Sequence, residues 1–442
     1  MEADVVNVLM LIGMAIAGGL LLVVLDALVR RPIAATRLVL AVVVLGTLIE
    51  DSMLISVEIS GFRITPEDVA FALITGAAVV RFFRVKRTSP QQKALITVGA
   101  MLLVSLLLGV AGFGLAPAVN EFRTYLSFVG VALYFSTINM NVETRKAMSR
   151  EWVWAGVILG GMVILRWASR FGGFGLGVFD GTAERTLRVV NGPNTLTIAA
   201  IALILILPGF SQGTLRGDRH RQVGAALLFI AVMLNRRTLW LALAVVLVVL
   251  ILRDPRVGRR LTTFAATGLV LFAIAVPLLG GQDSDSAAIS AADADNLVWR
   301  VEGWKGLLES GPDQLSEYLI GLPFGSGYER EVRGTELVAH SPHNYYLQAY
   351  LRTGAIGIAA LLLALLLTAT ALAQRTPGDD VHPFARDHLL LLIVLLGVWL
   401  LTWSPLAEQG ILLGLAIASV SHQRYRDSYV MADSQDRVQP IS

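Results

Sequence analysis

The chain has 442 residues, of which 55% are hydrophobic and only 16% charged. That is too apolar and too poor in charge for an ordinary soluble enzyme, and it predicts an all-α polytopic integral membrane protein. The formal net charge of +3 gives no footing for nucleic-acid binding, and the absence of cysteine excludes disulfides and thiolate metal sites.

In chain order, apolar runs fit to cross about 30 Å of hydrocarbon lie near 5–29, 35–50, 66–84, 94–116, 119–140, 151–169, 194–211, 222–235, 237–252, 262–280, 345–373, 388–404 and 406–421. About 12–13 transmembrane helices are therefore expected, the pair that meets at Asn235 being short. The first run follows an acidic start and lacks an Ala-x-Ala cleavage pattern, so it reads as a retained span. With thirteen spans, the connections rich in arginine and lysine all fall on one side. They carry Arg30, Arg31 and Arg37; Arg81, Arg84, Lys86 and Arg87; Arg145, Lys146 and Arg150; Arg216, Arg219 and Arg221; Arg253, Arg256, Arg259 and Arg260; Arg375 and Arg386; and Arg424 and Arg426. The positive-inside rule makes that side cytoplasmic, with the N-terminus outside and the C-terminus inside. Opposite connections are acidic or nearly neutral, with Glu50, Asp51 and Glu58, then Asp180 and Glu184, then Asp283, Asp285, Asp293 and Asp295. Thr65-Pro66-Glu67-Asp68 is a helix start: threonine caps, proline takes the first position and acids face the positive end of the dipole.

Residues 1–422 thus form a polytopic membrane domain with one large extracytoplasmic loop at about 281–344, and 423–442 a polar, disordered cytoplasmic tail. The loop opens flexibly and turns amphipathic over 297–308, where Leu297, Arg300, Val301, Trp304 and Leu308 share a face, as in a short helix lying along the membrane. It ends in HSPHNYYLQAYLRTGAIG, from His340 to Gly357. Here Ser341 is placed to cap a helix that Pro342 begins, which puts His343 and Asn344 in the first turn. His343, Leu347, Tyr350 and Gly354 then share one face, and Gly354 and Gly357 leave room for a neighbouring helix. The dipole at this end disfavours imidazolium, leaving His343 neutral and available as a base. The plainer reading is a capped interfacial helix with a solvated histidine.

The topology sorts the titratable residues. His220, His382, His388 and His422 fall in or beside cytoplasmic connections, so only His340 and His343 face outside. Arginines on that face need a reason. Arg185 and Arg188 precede the seventh span, Arg236 and Arg237 occupy a tight turn, and Arg300 opens the amphipathic stretch. A guanidinium fork matches a diphosphate, whereas the plainer role is snorkelling to lipid phosphates. Glu50 and Asp51 offer a carboxylate base or simple capping. Trp152, Trp154, Trp240 and Trp403 suit interfacial anchors. No H-E-x-x-H, Walker loop or G-x-S-x-G is present, which argues against zinc-protease, nucleotide-hydrolysing and α/β-hydrolase chemistry.

The H-x-x-H-N-x-Y-L block from His340 to Leu347, followed by Gly354 and Gly357, resembles the signature of the O-antigen ligase and polymerase superfamily. Arg188 before Asn191–Asn194, Arg236–Trp240, and Arg300-x-x-x-Trp304 followed by Gly325 and Gly327 extend the resemblance over about 150–420. It implies a glycosyltransferase of the bacterial cytoplasmic (inner) membrane, moving a glycan en bloc from polyprenyl diphosphate to a sugar hydroxyl on the outer face. It further implies inversion at the anomeric carbon, no cofactor and no required metal. The resemblance makes His343 and His340 the catalytic candidates and Arg188, Arg237, Arg300, Arg185 and Arg236 the diphosphate ligands, with Asn344, Asn194 and Trp304 in support. A lipid A core acceptor would make the protein a ligase, and a second lipid-linked glycan a polymerase. Two other functions stand beside this one. A flippase for lipid-linked oligosaccharides needs charge within the spans, where Arg166 is the one well-placed residue, and an internal repeat, which is lacking. A metal-dependent polyprenyl-phosphate-sugar transferase would use Glu50 and Asp51.

Overall fold

The computed structural model describes residues 19–48, 56–59, 62–84, 88–140, 142–172, 189–190, 192–206, 219–234, 236–253, 263, 295–332, 336–339, 341–374, 383–401, 403 and 406–436. After a helical stretch at 19–30 come α1 (Pro32–Leu48), a hairpin of β1 (Val57–Ile59) and β2 (Phe62–Ile64), α2 (Pro66–Arg84), α3 (Pro90–Phe113), α4 (Leu115–Ser136), α5 (Val142–Gly172), α6 (Gly192–Ile206), α7 (Arg219–Met233) and α8 (Arg237–Arg253). Next are α9 (Asp295–Glu309), α10 (Leu315–Ile320), a hairpin of β3 (Arg330–Val332) and β4 (Glu336–Val338), α11 (Tyr345–Ala373), α12 (Pro383–Trp399) and α13 (Ala407–Asp436). The fold is mostly helical. Three stretches among the described residues, α3, Lys146–Ser169 of α5, and α11, are long and apolar enough to cross a membrane. α13 continues helically to Asp436, where the sequence suggests a tail from Gln423.

Local chemistry sets the helix starts. At α2 the Thr65 hydroxyl accepts from the Asp68 amide at 3.3 Å, the threonine cap expected from the sequence, and the Asp68 carboxylate accepts from the Thr65 amide in return. At α3 Ser89 and Gln92 cap each other in the same way, and the Gln92 amide reaches on to the Ser136 carbonyl. Arg81 closes this end of the bundle by donating to the Val29 and Thr137 carbonyls at 2.6 and 3.0 Å, satisfying groups a helix end leaves orphaned. Every side chain from Asn194 to Leu205 is buried, so α6 runs through the centre, as an all-round apolar helix must. α3 and α11 instead expose Leu103, Leu107, Leu362 and Leu366 outward, a surface suited to lipid.

The polar segment before α11 is built onto the bundle. α9 buries Gly303 and Leu307 while Val301 and Leu308 stay exposed, so its packed face lies a step round from the one the periodicity suggests. The cause is the hairpin: the Arg330 stem lies against the α9 backbone at Gly303, where a Cβ would come within 2.8 Å of its Nε. Residues 321–324 then pass between helices. The Phe324 amide donates to the Ser105 carbonyl of α3 at 3.2 Å, and the Ser105 hydroxyl donates to the Leu322 carbonyl at 2.9 Å. Irregular backbone within a bundle needs such partners, since no water reaches it there.

The His340–Gly357 stretch departs from expectation in two ways. The helix begins at Tyr345, not Pro342, and its cap is Asn344, whose side-chain oxygen accepts from the Leu347 amide at 3.1 Å. Ser341 instead receives the Gln348 side-chain amide. His343 has φ +50°, a left-handed conformation that no helical turn accommodates, which pushes the start downstream. The second departure is at Gly354, where φ is +60° and α11 is interrupted. A Cβ there would lie 2.2 Å from the Leu319 carbonyl carbon, and one at Gly321 2.4 Å from that of Arg352. The space at Gly354 admits a neighbouring helix, as expected, and that neighbour is the end of α10. Only glycine allows two backbones to cross this closely.

Candidate functional site

The start of α11 is fixed on three sides. The Tyr345 amide donates to the Leu400 carbonyl at 2.9 Å and the Tyr346 hydroxyl to the Gly397 carbonyl at 2.8 Å, docking the helix on the end of α12. The Trp304 indole of α9 donates to the Pro342 carbonyl at 2.7 Å. His343 is thereby held on the short turn between β4 and α11, next to the residues that follow α12.

Trp403, just beyond α12, is where distant segments meet. Its ring centroid lies 5.3 Å from that of His343. The Arg236 guanidinium lies 5.6 Å from the same centroid, within cation–π range. Gly192, first residue of α6, sits so close that a Cβ would come within 2.9 Å of the indole. Arg236 also donates to the Val190 carbonyl at 2.8 Å, joining the α7–α8 turn to the entry of α6. Trp399 stacks on Trp403 from behind, with centroids 6.2 Å apart and planes 17° from parallel.

The sequence candidates divide as follows. His343, Asn344, Arg236 and Trp304 are brought together around this turn. Asn194 lies two residues beyond Gly192, bonds the Thr47 hydroxyl and turns toward α1. Arg237 opens α8 beside Arg236, and Arg300 lies one turn before Trp304 on α9. His340, Arg185, Arg188, Glu50 and Asp51 lie outside the described residues. Arg166 bonds the Thr47 and Val189 carbonyls at 2.7 and 2.9 Å, so it fastens α1 and α5 to the entry of α6. Trp403, expected only as an anchor, is the centre of the cluster. Its place just past a span end looks the same in sequence for an anchor and for a hub.

A second set of residues, absent from the sequence candidates, fixes the neighbouring loop. Arg352 of α11 is fully buried; it donates to the Ser326 hydroxyl at 2.7 Å, to the Gly327 carbonyl at 2.5 Å and to a Glu121 carboxylate oxygen at 2.5 Å. The other Glu121 oxygen accepts from the Gly325 amide at 2.8 Å. The Tyr328 ring covers the guanidinium at 4.5 Å, and its hydroxyl lies 2.6 Å from that of Tyr125. Burial pushes the Tyr328 phenol well above its usual range, so this contact joins two neutral hydroxyls. The glycines of the G-x-G motif at 325–327 are therefore held by an ion pair from α4 and α11.

The comparisons with known proteins agree with the motifs. Residues 223–362, about a third of the chain, match a family model described as O-antigen ligase, which supports the O-antigen ligase and polymerase superfamily. That interval contains Arg236, Arg237, Arg300, Trp304, His343 and Arg352, and leaves Arg185, Arg188 and Asn194 outside it. No curated protein and no solved structure matches the chain.

Proposed function

With the O-antigen ligase match over residues 223–362 as premise, we propose that this membrane protein transfers a glycan from polyprenyl diphosphate to a sugar hydroxyl on the outer face of the bacterial inner membrane. The observation that carries the reading is the meeting at Trp403 of His343, Arg236 and the entry of α6, three segments far apart in sequence. A histidine beside a guanidinium is the pairing this reaction needs. His343 accepts the proton of the acceptor hydroxyl as its oxygen attacks the anomeric carbon. The bond from that carbon to the diphosphate oxygen breaks with inversion, and the polyprenyl diphosphate leaves with the electron pair. Arg236 and Arg237, with Arg188, Arg185 and Arg300, hold the leaving group, whose growing charge a fixed guanidinium stabilises. Asn344 fixes the turn that carries the base, Trp304 braces it, and Asn194 steadies the entry of α6. His340 is the second candidate for the base. No metal is called for. The carboxylate chemistry at Glu50 and Asp51 becomes the better reading if activity depends on a divalent ion, and an acceptor of lipid A core or of lipid-linked glycan decides between ligase and polymerase.

Orientation is the first expected outcome. A reporter after Arg87, Arg150 or Arg260 should register the cytoplasm, and one near Ser290 the outside. A cytoplasmic signal at Ser290 would put the site on the wrong face. The chemistry is tested with purified protein, purified lipid donor and several acceptors, with and without chelator. A general base contributes about 10²–10⁴ in rate, so His343→Ala should abolish detectable transfer with donor binding kept, and His340→Ala should cost less. Transfer that persists in both variants would remove the histidines from the mechanism.

A further inference from the structure

We propose that the protein has a sugar-binding subsite in the cavity between α1, α2, α4, α6 and α13, which takes one neutral, hydroxyl-rich sugar unit of a substrate glycan. The inference rests on the glycosyl-transfer reading only for the source of that sugar. The cavity has a volume of about 370 Å³, small among ligand pockets. Its polar lining is Thr47, Arg63, Thr65, Glu67, Asp68, Arg123, Thr124, Ser127, Asn194 and Glu408, with Phe71 among the apolar wall residues. This is a lining of forked donors and paired acceptors, the chemistry that recognises adjacent hydroxyl groups.

Glu408 points to a missing ligand. It is 1% exposed, and one carboxylate oxygen accepts from the Thr197 hydroxyl at 3.0 Å. The other is buried and has no hydrogen-bond partner among the described residues. A buried carboxylate oxygen left in that state is costly, and a hydroxyl entering the cavity would satisfy it. Asp68 is differently placed: it caps α2 through Thr65 and lies 3.6 Å from the Arg123 guanidinium, which also reaches the Arg63 carbonyl. Arg123 and Asp68 thus form a ready-made donor and acceptor pair in the same lining.

The charges exclude other occupants. Glu67 and Asp68 already match Arg63 and Arg123 in number, so the lining has no surplus of positive charge to hold a diphosphate. Among the described residues no group of three such side chains is gathered tightly enough to hold a metal ion. A neutral polyol suffers neither difficulty. The position also suits a substrate glycan. Asn194 in the lining is two residues from Gly192, which touches Trp403, and Leu406 in the lining is three residues past Trp403. A sugar held here lies beside the turn that carries His343.

The test uses the full-length protein in lipid nanodiscs and a panel of methyl glycosides of neutral hexoses and N-acetylhexosamines. Saturation-transfer NMR should detect binding to the native protein. Glu408→Gln, which keeps shape, and Arg123→Met should each weaken it about tenfold or more, with thermal midpoints unchanged to show that both fold. Binding of no glycoside, or equal binding by both variants, overturns the proposal. In the transfer assay the same variants should raise the KM for one substrate about tenfold with kcat nearly kept, the acceptor KM if the sugar belongs to the acceptor and the donor KM if it belongs to the donor. Unchanged KM values for both overturn it. If the native protein transfers nothing, the functional reading fails, while glycoside binding and its loss in the variants still decide the subsite.

Discussion

Arg352 and Arg236 both belong to motif-bearing segments of the matched region, yet they are held by different kinds of partner. Arg352 directs its donors at Glu121, Ser326 and Gly327 and lies under the Tyr328 ring, so a carboxylate balances its charge inside the protein. Arg236 donates to the Val190 carbonyl and lies against the face of Trp403, so it ties the α7–α8 turn to the entry of α6 and to the ring that His343 also meets. The first arrangement stabilises a loop; the second joins a cation and a histidine through one shared tryptophan. A guanidinium thus acts as a brace or as part of a site according to what faces it, and proximity to a motif does not decide which.

This contrast breaks most readily at Arg352. Removing one partner of a buried ion pair costs about 3–5 kcal/mol, so Arg352→Met should lower the unfolding midpoint sharply in detergent, and adding Glu121→Leu should restore part of it. Arg236→Met should abolish transfer yet move the midpoint little. Equal destabilisation by the two single variants would erase the distinction. A smaller effect sharpens the site side. Lysine at Arg188 or Arg237 keeps the charge but not the fork, so each variant should lose about ten- to a hundredfold in transfer. Near-native rates in both would reduce these residues to surface charges. The smallest effect is expected at Trp304→Phe, which deletes the bond to the Pro342 carbonyl, worth about 1 kcal/mol. A few-fold fall in rate, with donor binding kept, would mark Trp304 as a brace for the His343 turn.

Much of the helical framework was legible in the sequence because apolar runs and proline-led caps are local signals, as Thr65 and Pro66 illustrate. The start of α11 was misplaced because Ser341 and Asn344 are both good caps three residues apart, and the left-handed backbone of His343, which decides between them, has no local signature. The packed face of α9 was misjudged because burial there follows from a hairpin thirty residues on. Of the candidate site, the histidine and the arginine turn could be named but not joined, since Trp403 gives no sign of what it touches. Arg352, Glu121 and Glu408 were missed for a related reason. A single charge near the end of an apolar helix looks the same whether it meets water, lipid headgroups or a buried partner.

The interruption at Gly354 also divides α11 by height. Below it, residues 355–373 rise about 28 Å at about 1.5 Å per residue, close to the roughly 30 Å of a bilayer's hydrocarbon. Above it, residues 345–353 add about 13 Å, fastened to the Leu400 carbonyl at the top and to the Leu322 amide at the bottom. The two parts do different jobs, the lower one matched in length to the hydrocarbon of a membrane and the upper one fastened to the chain segments around it. On the proposed reaction, a polyprenyl chain lying against the lower part would run out of hydrocarbon near the backbone crossing. The proposed diphosphate would then emerge beside the upper part, toward the turn that carries His343.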